Sequence, residues 1–244
     1  MKALYFKEIR SFLSSVIGYT FILIFLITSG LFHWVISYNT NLLEGSEADL
    51  IPFFNMAPLI FLILIPAITM RSIAEERRTG TIELLFTRPI SDLQILLAKY
   101  FAGVTLVVIT LIPTLVFYYS MTTIALDDGT AFDHGATITS YLGLILLGAV
   151  FVAIGLFASS ITNSQIVAFI IAMFLSWVIY DGLTLLGSFN LMGDFDYIIK
   201  YCGISYHYDS IKRGVVDSSD IIYFLSVIGI FIFSALTVIK SLKK

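Results

Sequence analysis

What this sequence has least of is charge. Of its 244 residues, 14 are Lys or Arg and 17 are Asp or Glu, so charged side chains make up 13% of the chain. A soluble domain carries about 25%, and half that density cannot cover a globular surface in water. An ordinary water-soluble fold is therefore excluded. Cysteine is nearly absent too. The single Cys202 permits no intrachain disulfide, and no Cys/His spacing offers a zinc box. No G-x-x-x-x-G-K-[ST] run occurs, so no P-loop can cradle a nucleotide. Nucleophile motifs and dinucleotide fingerprints are missing as well. The expectation is a chain that is not an enzyme and binds no cofactor of its own.

What is present is apolar. The chain is 58% hydrophobic, with a mean hydropathy of +0.95. Six long apolar runs stand at 16–37, 52–70, 100–122, 140–160, 166–186 and 221–239. Hydrocarbon about 30 Å thick needs about 20 residues of helix, and each run meets that length. In lipid a spanning segment must satisfy its own backbone hydrogen bonds, which leaves helices and closed barrels. A barrel needs short alternating strands, and these runs do not alternate. The sequence thus predicts an all-α polytopic membrane protein, one transmembrane domain over 1–244 with six spans. The run at 16–37 is too long for a signal-peptide core and lacks a small-x-small site, so it reads as a retained span.

Residues 1–15 form a short two-sided segment. Tyr5, Ile9, Phe12 and Leu13 recur at helical spacing, with Lys2, Lys7, Glu8 and Arg10 on the other side. Such a helix can lie in the membrane interface; a plain extension of the first span is the alternative. Orientation follows from the basic residues. With the N-terminus inside, the inner side holds Lys2, Lys7, Arg10, Arg71, Arg77, Arg78, Arg88, Lys99, Lys240, Lys243 and Lys244, against Lys200, Lys212 and Arg213 outside. Both termini are expected in the cytoplasm.

Within the frame, Pro58, Pro66 and Pro113 predict kinks in the second and third spans. In the fourth, Ala149 with Ala153 and Gly155 with Ser159 are small-xxx-small pairs that allow close helix approach. The stretch 187–220 before the last span is rich in aromatics (Phe189, Phe195, Tyr197, Tyr201, Tyr206, Tyr208). It predicts one or two short helices at the outer leaflet. His33 beside Trp34 reads as an aromatic-belt anchor. Asp181 is the one acid within a predicted span, where a central carboxylate would cost about 2.5–3.5 kcal/mol. Sixteen residues past Gln165, at 1.5 Å each, place it about 24 Å up the helix, near the outer interface. A solvated helix end and a place on a substrate path are both open readings for it.

The chain is organised around 71–89, RSIAEERRTGTIELLFTRP, a polar segment of mixed charge between two spans. Ser72 and Glu75 have capping-box spacing, and so do Ser91 and Gln94. A helix is expected to start near Ser72, break at Gly80, and resume through Leu84, Leu85 and Phe86 until Arg88-Pro89 stops it. The apolar tip could dock into a partner's groove or rest on the membrane.

The run EERRTGTIELLFTRPIS at 75–91, followed by Lys99, resembles the signature of ABC-2-type transporter permeases. The six-span layout, the basic amphipathic N-terminus, the polar loop after the second span and the segment before the last span match that family along the whole chain. FKEIRSFLSSVIGYTF at 6–21 is most similar to the permease of gliding-motility-associated ABC transporters. The resemblance implies a coupling helix in the 71–99 loop that docks on an ABC ATP-binding subunit. It gives contact or transmission roles to Glu75, Glu76, Arg77, Arg78, Gly80, Thr81 and Glu83. It makes Asn163, Ser164 and Gln165 a minor second contact, and makes 187–220 an outer cap. ATP and Mg²⁺ would sit on the partner subunit. The other implied partners are a second permease, identical or related, and the bilayer of the cytoplasmic membrane; no nucleic acid is implied. The function so implied is the permease subunit of an ATP-driven exporter in a gliding-motility-associated complex. Two rivals remain: a non-transporting membrane anchor for an ATPase-containing assembly, and an ion-coupled secondary transporter. The latter calls for midplane ionisable residues and internal repeats, and neither is visible.

Overall fold

The computed structural model describes residues 1–36, 42, 49–83, 90–128, 132–189 and 193–242. Every regular element among them is helical. In order they are α1 (Lys2–Ser14), α2 (Val16–Trp34), α3 (Ile51–Thr69), α4 (Ala74–Arg78), α5 (Asp92–Leu111), a 3₁₀ turn (Ile112–Thr114), α6 (Leu115–Asp128) and α7 (His134–Ile161). They continue with α8 (Gln165–Trp177), a π-helical turn (Val178–Gly182), α9 (Leu183–Ser188), α10 (Asp194–Tyr201), α11 (Ile204–Lys212) and α12 (Ser218–Ser241). Six stretches are long and apolar enough to cross a bilayer: Val16–Trp34, Ile51–Arg78, Asp92–Leu126, His134–Ile161, Gln165–Ser188 and Ser218–Ser241. The chain is an all-α, six-span membrane protein.

The fourth span, α7, is the centre of the bundle. It is 78% buried, whereas the first, fifth and sixth spans are each 28% buried. Those three therefore supply much of the outward apolar surface. The small residues of α7 set how near its neighbours come. A Cβ on Gly155 would lie 2.0 Å from Thr69 Oγ1 on α3, and one on Gly148 would lie 2.7 Å from a Val107 methyl on α5. The Gly155–Ser159 spacing thus seats the second span.

The prolines act differently from one another. Pro58 and Pro66 lie inside α3, which runs through both without interruption. Pro113 falls in the 3₁₀ turn that divides the third span. Proline there removes a backbone donor. The hydroxyl of Tyr141, on α7, donates to the Thr114 carbonyl at 3.0 Å and so satisfies one acceptor at the break.

Three expectations need correction. His33 is not in an exposed belt: it is wholly buried, edge-on to Phe53 with ring centroids 5.5 Å apart. Tyr208 does not face the lipid headgroups; it is buried in the protein, and its hydroxyl donates to the Phe54 carbonyl at 2.8 Å. The Ser72–Glu75 capping box does not form, because α4 begins at Ala74 with no cap from its own N-terminal residue. The Ser91–Gln94 box is present in full at the start of α5.

The closest helix approach gives a test. Gly155→Ala is expected to overpack the α3–α7 contact at a cost of about 1–3 kcal/mol, lowering the melting temperature in detergent. Adding Thr69→Ala, which removes the nearest atom, should recover part of that loss. An unchanged melting temperature in the single variant would show that the helices are not held this close.

Candidate functional site

The polar segment after the second span folds back beneath the bundle. Met70 to Ile73 turn, and α4 then runs for five residues. So short a helix is not stable alone, and α7 supplies what it lacks. Ser159 Oγ accepts from the backbone N–H of Ile73 at 3.1 Å and of Ala74 at 3.0 Å. The same hydroxyl donates to the Met70 carbonyl at 3.0 Å. One donor and two acceptors is all that a hydroxyl has, so Ser159 caps α4 from another helix at full capacity. Arg77 reciprocates: its Nη1 donates to the Ser160 carbonyl at the end of α7, where free carbonyls need a partner.

A second fastening is ionic. Lys99, on α5, has a side chain only 3% exposed, and its Nζ lies 2.7 Å from Glu76 Oε1 and 3.4 Å from Glu8 Oε1. One ammonium therefore ties α4 to both α1 and α5. The apolar face of α1 adds to this. Leu4 packs with Ile95 and Ala98 of α5, and Tyr5 Oη lies 2.8 Å from Thr105 Oγ1. The N-terminal helix thus rests its inner face on the third span. At Ser15 the chain turns into α2, and a Cβ on Gly18 would lie 2.0 Å from the Phe12 carbonyl oxygen.

The candidate residues divide by exposure. Glu75, Glu76 and Arg77 are half-buried, and Glu76 and Arg77 are spent on the fastenings above. Arg78, Gly80, Thr81 and Glu83 are exposed. Gly80 has φ +70°, the left-handed region that glycine enters without strain, and makes the expected joint. Thr79 Oγ1 lies 2.9 Å from Thr81 Oγ1 across that joint. Leu84, Leu85, Phe86, Arg88 and Pro89 lie outside the described residues. A cavity of about 400 Å³ opens between α1, α4 and the ends of α2 and α3, lined by Lys7, Glu8, Arg71, Glu75, Glu76 and Lys99.

The second polar turn lies at the same end. Asn163 and Ser164 are exposed and Gln165 is half-buried. Ser164 caps α8, its Oγ accepting from the Val167 amide at 3.5 Å. Helix α4 borders both the end of α7 and the start of α8, so the segments 75–83 and 163–165 form one polar face. Asp181 stands apart, half-buried in the π-helical turn of the fifth span. Among the described residues, no cluster of His, Cys, Asp and Glu is arranged to hold a metal ion.

Sequence reasoning counted Ser159 only as a small packing residue and missed it as a cap, and it did not foresee the ion pairs of Lys99 with Glu76 and Glu8. Lys99 did carry a signal: it is a charge inside an otherwise apolar helical run. Compared with known proteins, the chain matches the family profile described as "ABC-2 family transporter protein" over residues 3–239, a span that includes α1, α4 and both polar turns. No curated protein matches it significantly.

The ion cluster is testable. Lys99→Met strands two carboxylates, at an expected cost of about 2–3 kcal/mol, below a fully buried pair because both Glu side chains keep some solvent contact. Melting should fall accordingly, and adding Glu76→Gln and Glu8→Gln should restore most of it. Equal melting of Lys99→Met and wild type would mean that the cluster does not hold this end together.

Proposed function

The chain belongs to the ABC-2 family of transporter proteins, and on that premise we propose that it is the permease subunit of an ATP-driven exporter in the cytoplasmic membrane. The family implies pairing with an ATP-binding cassette subunit, within a lipid bilayer. In this reading both termini face the cytoplasm, α4 with the residues after it is the coupling helix, and ATP and Mg²⁺ are bound by the partner. The similarity of segment 6–21 supports a place in a gliding-motility-associated assembly. The sparsely buried first, fifth and sixth spans leave apolar surface for a second permease, identical or related.

The observation that carries the reading is the fastening of α4 from behind while its front is open. Arg78, Gly80, Thr81 and Glu83 contact the ATPase in this account, with Asn163, Ser164 and Gln165 beside them. Glu75, Glu76 and Arg77 transmit the push. A push on α4 reaches α7 through Ser159 and Ser160, and reaches α5 and α1 through Lys99. Helix α7 has 28 residues, about 42 Å at 1.5 Å each. At its far end Ser140 Oγ donates to the Lys212 carbonyl at 2.8 Å, and a Cβ on Gly143 would lie 2.9 Å from an Ile211 methyl. Motion at α4 therefore has a stiff route to α11, within the proposed outer cap 187–220. Asp181, beside that route, is a candidate for the substrate path. The partner must bind the two states of the permease with different affinity; a 100-fold difference supplies about 2.7 kcal/mol of bias.

Contact and transmission can be separated by mutation. Arg78→Glu with Glu83→Lys is expected to reduce co-purification of the ATPase by about tenfold or more, as charge reversal at a docking face does. Ser159→Ala should bind the ATPase as wild type does, yet lower permease-stimulated hydrolysis about fivefold, the low end of ordinary site-to-site coupling. Wild-type recovery and hydrolysis in both variants would sink the coupling reading. ATPase that binds but is never stimulated by the permease would favour the non-transporting anchor.

A further inference from the structure

We propose that His207 and Asp220 form a proton-binding site that latches α11 to the start of the last span, at the end of the bundle opposite α4. His207, on α11, is wholly buried. Its Nδ1 lies 2.7 Å from Asp220 Oδ1 on α12, and its Nε2 lies 2.9 Å from the Tyr201 carbonyl oxygen at the end of α10. A peptide carbonyl only accepts, so Nε2 carries a proton. An ionised carboxylate only accepts as well, so a second proton stands between Nδ1 and Oδ1. The pair holds that one exchangeable proton. Without it, two lone pairs face each other at hydrogen-bond distance in a buried site, which is unfavourable.

The surroundings are built for the protonated state. Tyr223 stacks on the imidazole, centroids 4.0 Å apart at 20°, a geometry that favours a cationic ring. The Tyr223 hydroxyl donates to the Cys202 carbonyl at 2.5 Å, which holds the ring in place. Tyr201 and Tyr206 close the edges at 4.7 and 5.5 Å. The second oxygen of Asp220 is buried with no partner among the described residues, so the proton shared with His207 is what neutralises this carboxylate.

A route for the proton is present. Asp220 lines an open cavity of about 420 Å³ together with Lys200 of α10, Asp209 of α11, and Arg213 and Asp217 between α11 and α12. Among the described residues, these, with Tyr197, Tyr201, Cys202, Tyr206 and Tyr223, are the charged and titratable groups around the pair. The Tyr206 phenol is held above its usual range by its hydrogen bond with Tyr197. The Asp217 carboxyl is held below its usual range by the Ser219 amide. Neither changes charge near neutral pH. The latch matters beyond itself because α11 also grips α3 through Tyr208 and α7 through the Lys212 carbonyl. The site goes beyond the coupling reading and does not depend on it.

The test is hydrogen exchange on the full chain in detergent at about pH 6 and about pH 9, either side of the ordinary histidine range, corrected for intrinsic exchange. Cys202→Ser is present throughout to remove the one thiol. Protection of the Ile204–Lys212 amides, relative to those of α7, should fall about tenfold or more at the higher pH, which is about 1.4 kcal/mol. In Asp220→Asn the side-chain amide can donate to an unprotonated Nδ1, so protection should persist and the pH ratio should approach one. His207→Gln should give low protection at both values. A parent ratio that does not change with pH overturns the proposal, whatever the variants do. A parent-sized drop retained in Asp220→Asn overturns it as well.

Discussion

An ammonium that is 3% exposed inside an apolar bundle is the constraint on which this molecule's polar end depends. Left alone, Lys99 would be a charge removed from water at a cost of several kcal/mol. It is matched by carboxylates from two other helices, Glu76 and Glu8. The match fixes more than an energy. It means that α1, α4 and α5 cannot be placed independently, because moving one changes the solvation of a charge that all three share. The five-residue α4 exists as a helix through this tie and through the cap from Ser159.

The same logic explains why the fourth span sits in the middle. A helix that fastens α4 at one end and α11 at the other must be straight, long and approachable. The small residues of α7 make it approachable: Gly155 admits Thr69, Gly148 admits Val107, and Gly143 admits Tyr208 and Ile211. Without a hydrophobic driving force between helices in lipid, close packing of this kind is what holds a bundle together. The helix that positions the polar segment is therefore also the one that organises the spans.

Much of this was legible in the sequence, and the boundary between what was and what was not is physical. The six spans are local facts of length and apolarity, so composition alone carried them. The Ser91–Gln94 box is likewise local, and it formed. The Ser72–Glu75 pair had identical spacing and failed, because Ser159, 85 residues away from Ala74 along the chain, supplies that cap instead. No local rule contains that information. The candidate segment 75–83 and the turn 163–165 were legible as polar interruptions between spans. Which side chains turn inward was not, since the phase of α4 is set by Lys99 and by the end of α7. The burial of His33 and Tyr208 was not legible for a related reason: a polar aromatic near a helix end suits a headgroup belt or a buried hydrogen bond equally well by sequence. Pro113 falls in a break of its span and Pro66 does not, a difference that the proline alone does not encode.

The distribution of buried charge bears on how energy enters the molecule. Among the described residues, the buried acidic and basic side chains are Lys99 at one end of the bundle, Asp196, His207 and Asp220 at the other, and His33 in the last turn of α2. An ion-driven carrier needs ionisable groups near the middle of the membrane, where an ion can be held between two accesses. In the central helix α7 the buried polar side chains stand at its two ends, Thr137 and Ser140 at one and Ser159 and Ser160 at the other, with apolar and small residues between. A packed apolar helix with hydrogen-bonded ends is stiff between fixed points, which is what the proposed coupling reading requires of it. The polar face formed by α4 and the 163–165 turn stands at one of those ends, and the His207–Asp220 pair at the other.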